Sequence, residues 1–388
     1  MHVLIAPDSF KGSLSAIEAA QCMERGVRAV FPDATCTLAP IADGGEGTVD
    51  ALVAATGGSL HGVTVRGPLG EPLEAFFGLF DEGRSAVVEM AAASGLPLLE
   101  PSRRNPLVTC TFGTGELIKA ALQALHKKDT GEAPTLIIGI GGSATNDGGV
   151  GALRALGARF LDAQGKELAP GGADLARLDS IDCSGLDPLL AKTAIRVACD
   201  VDTPLAGARG ASAVFGPQKG ASPEMVAALD AALSRYAIVA AKTTGKDVAE
   251  VPGAGAAGGL GAGLLFFTPA TLEPGVNIVL DAIGFAQKAA KADLVFTGEG
   301  ASDVQTAYGK APVGVAKIAK QHNKPVICIS GALGQGVEAV FAQGIDSVFS
   351  AVRSIATLDD CMKNAAPMLE DATIRVCRAI RVGQALAG

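Results

Sequence analysis

HVLIAPDSFKGSLSA, residues 2–16, runs from a short apolar stretch through a proline and a small polar loop into a helix start. The apolar run at 2–6 reads as a strand. Ser15-x-x-Glu18 reads as a capping box, Leu14, Ile17, Val27 and Val30 recur at roughly helical spacing, and Pro32 supplies the stop. The unit returns at once as a strand at 35–39, the loop IADGGEGT at 41–48 and a helix from Val49. Strand, loop and helix in succession predict parallel strands that carry functional loops at their carboxyl ends.

Working outward, the same rhythm closes the chain. A strand at 294–297 leads into GEGASDVQTAYGK (298–310) and a helix over about 312–321. Strands at 325–330 and 346–350 follow, with a helix from about 336 between them and a closing helix at 369–386. Both ends therefore read as one doubly wound domain, residues 1–65 plus 286–388. Residues 66–285 read as a second α/β domain inserted into the first, with the ligand cleft expected between the two. No period of 20–50 residues repeats, which excludes a solenoid.

A chain of 388 residues allows two or three domains, or one large one. With 48% hydrophobic and 19% charged residues it lies far from the disordered class. Its 50 glycines are about twice the usual share of roughly 7%, without a collagen period, and signal tight loops or close backbone approaches to a ligand. A net charge of −8, no long basic run, 4% aromatics and no Trp exclude a nucleic-acid partner. Eight scattered cysteines without C-x-x-C spacing, and a start without a basic n-region, predict a reduced, cytoplasmic protein. The uncharged stretch 251–272 needs a membrane check, but its six glycines and two prolines predict a glycine-rich segment outside the membrane.

Four loops share glycine and small residues with carboxylates, lysines, hydroxyls or amides: 8–13, 43–48, 139–149 and 297–310. Any one alone is equally a surface turn; the four together point to a ligand site, with Asp8, Ser9 and Gly298 among its positions. GIGGSATNDGG (139–149) follows a strand and opens a helix at Val150, so Gly141, Gly142, Ser143, Thr145 and Asn146 could cradle an anion, or form a plain tight turn. It is neither a Walker A sequence nor a dinucleotide fingerprint. Asp43, Glu46, Glu299 and Asp303 suit Mg²⁺, whose ligands are oxygens, or merely complement helix N-termini. Lys11, Lys310 and Lys219, the last beside Gln218 in GPQKG, sit next to glycines where an ammonium can reach a phosphate; each is equally a solvated turn residue. Asp200 and Asp202 follow a strand-like run from Ile195, and one of them could take a proton from a substrate hydroxyl. The four histidines lie outside these loops, which disfavours zinc or a histidine base, and the cysteines read as core.

In order, APDSFKGSLSA (6–16), PIADGGEGT (40–48), FGTGELI (112–118), GIGGSATNDGG (139–149), CDVDTPL (199–205), FGPQKGA (215–221), GAGAAGGLGAGL (253–264) and TGEG…D-x-QT…GK-x-P-x-GVA (297–316) resemble the bacterial glycerate kinase family. The matches span nearly the whole chain. The resemblance implies an α/β, two-domain fold of the glycerate kinase type, with a flavodoxin-like first domain. It also implies ATP-dependent, Mg²⁺-assisted phosphorylation of D-glycerate, giving 2-phosphoglycerate, within glyoxylate, glycerate and sugar-acid catabolism. Two positions depart from the pattern: Ala301 stands where the acidic loop usually has arginine, and Thr203 where asparagine is usual. A kinase for another short hydroxy acid and a non-catalytic small-anion binding protein are the alternatives. The sequence leaves open the oligomeric state, a homo-oligomer included, the hydroxyl that is phosphorylated, and which carboxylate is the base.

Overall fold

The structure, a computed structural model, describes residues 1–127 and 131–387. The strands of its two principal sheets are, in chain order, β1 (His2–Pro7), β2 (Thr35–Leu38), β3 (Ser59–Arg66), β4 (Pro72–Phe80), β5 (Ser85–Glu89), β6 (Thr135–Gly139), β7 (Ala194–Ala198), β8 (Thr271–Glu273), β9 (Leu294–Gly298), β10 (Val326–Ser330) and β11 (Ser347–Ser350). The chain divides into two compact units. Unit 1 comprises residues 1–43, 50–57 and 276–388, and unit 2 comprises 44–49 and 58–275. The division differs from the expected boundaries at 65/66 and 285/286: β3 pairs along its whole length with β4 and so goes with unit 2, while residues 276–285 go with unit 1.

Unit 1 carries a sheet in the order β11-β10-β9-β1-β2, and every pairing in it is parallel. Counted within the unit, this is the flavodoxin-like order, and the topological switch falls between β1 and β9. Both strands are buried almost throughout, as a parallel sheet covered on two faces requires. The helix Ala16–Val30 starts as the sequence predicts: the Ser15 side chain accepts from the Glu18 N–H while Glu18 accepts from the Ser15 N–H. Met23 and Val27 on it pack with Val3, Ile5, Phe296 and Ile329 into the core. Against it lies the closing helix Ala365–Ala387, so close at Gly26 that a Cβ there would stand 2.6 Å from Thr373 Cβ. The helix expected from about 336 is instead a 3₁₀ segment, Val337–Gln343.

Unit 2 is built on the sheet β8-β7-β6-β5-β4-β3, parallel from β8 to β5 and antiparallel from β5 to β3. The helix Phe112–Leu125 turns Leu117, Ile118, Ala121, Leu122 and Leu125 toward Val88, Leu136 and Ile138, the apolar stripe that helical spacing dictates. A second core gathers Phe160, Leu233, Tyr236 and Phe266. The uncharged stretch at 251–272 forms the helix Ala256–Phe267, and among the described residues no helix is long and apolar enough to cross a membrane.

Candidate active site

In unit 1 the switch point sets the geometry. Where neighbouring parallel strands send their connections to opposite faces, the loops at their carboxyl ends part and leave a crevice for ligands. Here β1 ends at Pro7 and delivers Asp8, Ser9 and Lys11, while β9 ends at Gly298 and delivers Glu299. The Asp8 N–H donates to the Gly298 carbonyl at 2.8 Å, so the two loops leave the sheet together. Gly298 is itself buried, and a Cβ there would stand 1.9 Å from the Ile329 carbonyl oxygen, so the strand tolerates no side chain at that point.

Charge gathers around these loops. Asp8 is 8% exposed and accepts from the Ser9 N–H at 2.6 Å. Burial pushes its carboxyl from an ordinary 3.8 up to about 7; Asp43 and Glu299 add to the rise, and Lys11 opposes it. The Lys11 ammonium stands 3.7 Å from Asp43 and is largely exposed. Glu299 is buried, and both the Ser302 and the Thr306 hydroxyls donate to its Oε1, at 2.9 and 2.6 Å. Its Oε2 stands 3.7 Å from Lys310, which also lies 3.9 Å from Asp303. Asp303 caps the 3₁₀ turn Val304–Tyr308 by accepting from the Gln305 N–H at 2.8 Å, which fixes the loop that presents Lys310. Asp8, Ser9, Lys11, Asp43, Gly298, Glu299, Asp303 and Lys310 thus belong to one unit, and two hydroxyls that sequence reading passed over, Ser302 and Thr306, orient its buried carboxylate. Their signal was their place three and seven residues after Glu299 in one loop. Ala301 is exposed and pairs with Ala332 in a short bridge beside this loop.

In unit 2 the candidate loops follow β6 and β7. Gly141 and Gly142 are exposed, and Ser143 is 7% exposed. Thr145 and Asn146, expected in an open cradle, are fully buried. The helix that the loop opens, Val150–Ala155, is short, and its first amides are already satisfied: Asp147 accepts from the N–H groups of Thr111, Gly149 and Gly151 and from the Thr111 hydroxyl. An anion cradle at that helix end is therefore closed by the chain's own carboxylate, and the exposed part of the loop is Gly141 and Gly142. Asp147 is a residue the sequence reading did not single out; it lay in the loop without a spacing to mark it. Asp200 is exposed and accepts from the Gly275 N–H at 3.0 Å. The same-face argument for Asp200 and Asp202 lapses, because β7 stops at Ala198. Glu46 and Gln218 are exposed, whereas Lys219 is buried and donates to the Thr145 carbonyl at 2.6 Å.

Among the described residues no three or more His, Cys, Asp or Glu side chains form a group able to hold a metal ion by themselves. All eight cysteines are free thiols. A profile described as the glycerate kinase family matches residues 3–381. A glycerate kinase of Bacillus subtilis is 52% identical over 386 residues, covering 100% of this chain and 99% of that protein. A glycerate 2-kinase of Escherichia coli is 50% identical over 388 residues, covering 100% of both. A crystal structure of a Salmonella typhimurium protein, described provisionally as glycerate kinase 2, superposes with a TM-score of 0.89 at 52% identity and covers 99% of each chain. Matched over nearly its whole length by the profile and by relatives at half identity, the chain belongs to the glycerate kinase family.

Proposed function

We propose that this protein transfers the γ-phosphoryl group of ATP to a hydroxyl of D-glycerate, giving 2-phosphoglycerate, with Mg²⁺ as the metal and the cytoplasm as its compartment. The observation that carries the reading is the charged cluster at the switch point of unit 1, where Lys11 and Lys310 stand 3.7 Å from Asp43 and Glu299 respectively. Phosphoryl transfer asks a protein mainly for positioning and for charge to balance the phosphate oxygens. Ammonium groups supply that balance, and carboxylates supply oxygen donors for a hard cation. The oxygen set fits Mg²⁺, which binds through one or two carboxylates and completes its shell with water and substrate phosphates. Asp43 and Glu299 would hold it in unit 1, with Asp303 as a further candidate there and Glu46 a separate candidate in unit 2, and the ion when bound supplies positive charge at the phosphates.

The remaining roles fall to the chain's own groups. Lys11 and Lys310 bind phosphate oxygens and follow the charge as it shifts during bond breaking. The two hydroxyls on Glu299 Oε1 keep that carboxylate from swinging, so Oε2 faces Lys310 before any ligand arrives. In unit 2, Gly141 and Gly142 offer an exposed segment for a ligand, with Ser143 buried behind them. Asp200, oriented by the Gly275 N–H, accepts the proton of the attacking hydroxyl. Asp8 is a second candidate for that task, since a carboxyl titrating near 7 exchanges protons readily at neutral pH.

The test is direct. ADP should form only when ATP, Mg²⁺ and D-glycerate are all present, EDTA should stop the reaction, and phosphorus NMR should show the phosphate on the 2-hydroxyl. Turnover of other short hydroxy acids but not of D-glycerate would move the assignment to a different acceptor. Binding of D-glycerate without any turnover would leave a small-anion binding protein, and full turnover in chelator would remove the metal from the reading.

A further inference from the structure

Lys219 looks in the sequence like a solvated turn lysine or a phosphate ligand, set among glycines in GPQKG. The fold does something else with it. Its neighbours Gln218 and Gly220 are exposed, but the lysine is 1% exposed, one of the largest fully buried side chains of the protein, and its ammonium donates to the carbonyl of Thr145. Burial pushes its pKa from 10.5 down to about 7, with Asp147 pulling the other way. Such a group lowers its own solvation to reach one backbone oxygen in the loop after β6.

That loop needs holding from outside. Thr145 Oγ1 and Asn146 Oδ1 are buried with no hydrogen-bond partner among the described residues, so these side-chain oxygens contribute no anchor. The restraints come from other segments. Thr109 Oγ1 donates to the Ala144 carbonyl, Asn146 Nδ2 donates to Ser212 Oγ, and the Gly148 N–H donates to the Gly258 carbonyl. Lys219 adds its side-chain nitrogen as a donor to this set at Thr145, three residues from Gly142, where the loop is exposed.

We infer that Lys219 is a positioning residue and not a ligand contact: its buried side-chain nitrogen clamps the Thr145 carbonyl and thereby fixes the exposed Gly141–Gly142 segment of the same loop, which meets one of the two substrates. The inference rests on the proposed kinase reading for its kinetic consequences, but its claim about burial stands apart from that reading.

Two measurements test it. The first compares acetylation of each lysine in the full-length protein by mass spectrometry. Lys11 and Lys310 should label readily, while Lys219 stays inert with or without ATP and D-glycerate. Labelling of Lys219 at the rate of surface lysines, with protection by either ligand, overturns the inference, and this arm needs no turnover. The second is Lys219→Met, which keeps much of the side-chain bulk and removes the charge. Freed of a buried ammonium, the variant should melt no lower than the parent, while the KM of one substrate rises by about tenfold and that of the other stays within about twofold. Kinetics indistinguishable from the parent, or equal changes in every constant, overturn it. If the variant does not fold, the labelling decides alone: a Lys219 inert with and without ligands supports the buried clamp, and a Lys219 that labels like a surface lysine refutes it.

Discussion

Asp8 shows how one residue can be costly to the fold and useful to the site. Its carboxyl titrates near 7 in the folded chain against 3.8 in the ordinary state, so between those values the folded chain binds a proton that the unfolded chain has released. Stability therefore falls as pH rises from about 4 to 7, and the cost stays in full above 7. At about 1.4 kcal/mol per pKa unit, the penalty is on the order of a few kcal/mol. Asp8→Asn should accordingly raise the melting temperature of the ligand-free, metal-free protein at pH 8, leave it unchanged near pH 3.5, and lower turnover. A variant no more stable at pH 8 would mean that neither burial nor the neighbouring carboxylates strain the ionised Asp8. Lys310 presents the opposite balance. Its two ion pairs, at 3.7 and 3.9 Å on a half-exposed side chain, contribute little to stability. Lys310→Met should melt like the parent yet lose about 10²-fold or more in kcat, and a near-normal kcat would take the lysine out of phosphate binding.

Elements differ in how plainly the sequence announces them. The first strand and the capping box at Ser15 and Glu18 could be read from local pattern, because each depends on residues close in sequence, and the parallel sheet of unit 1, which pairs Val3 with Leu294, is legible through the strand–loop–helix rhythm repeated at both ends of the chain. The segment at 337–343 could not: Gly336 and Gly344, both at positive φ, leave a stretch too short for a stable α-helix, and it tightens into a 3₁₀ turn. Nor does local pattern show that Lys219, Thr145 and Asn146 lie inside, since their burial comes from segments distant in the chain. The glycine-rich helix Ala256–Phe267 makes the same point with a backbone cause. Ala257, Gly258 and Gly259 all take positive φ, and a Cβ on Gly258 would stand 2.1 Å from the Thr145 carbonyl oxygen. The glycines exist there to let two backbones touch. Two substitutions should therefore part in sign. Ala257→Gly relieves a left-handed alanine at φ 54° and should stabilise by about 1 kcal/mol. Gly258→Ala should destabilise by more than that amount, because neither backbone can give way. Urea unfolding of both variants measures the pair, and equal effects would show that the segment adapts.

For the molecule as a whole, the two units bring different chemistry to the proposed reaction. Unit 1 concentrates alternating charge at its switch point, suited to polyphosphate and metal. Unit 2 offers an uncharged surface segment after β6 and one oriented carboxylate after β7. Substitutions should sort accordingly. Asp200→Asn keeps the size of the side chain and a carbonyl oxygen that can still accept from the Gly275 N–H, while removing its capacity to accept a proton. If Asp200 is the base, kcat should fall by about 10²-fold or more, as for loss of a general base, with the affinity for ATP preserved. Calorimetric titration of ATP against the variant, beside its steady-state rate, separates the possibilities. Loss of ATP affinity with unchanged chemistry would make Asp200 a nucleotide contact. Unchanged affinity and unchanged rate would shift the proton to Asp8, whose own variant would then be expected to lose the acidic limb of the pH–rate profile, the fall in rate below about pH 7, because the group that must ionise there would be gone.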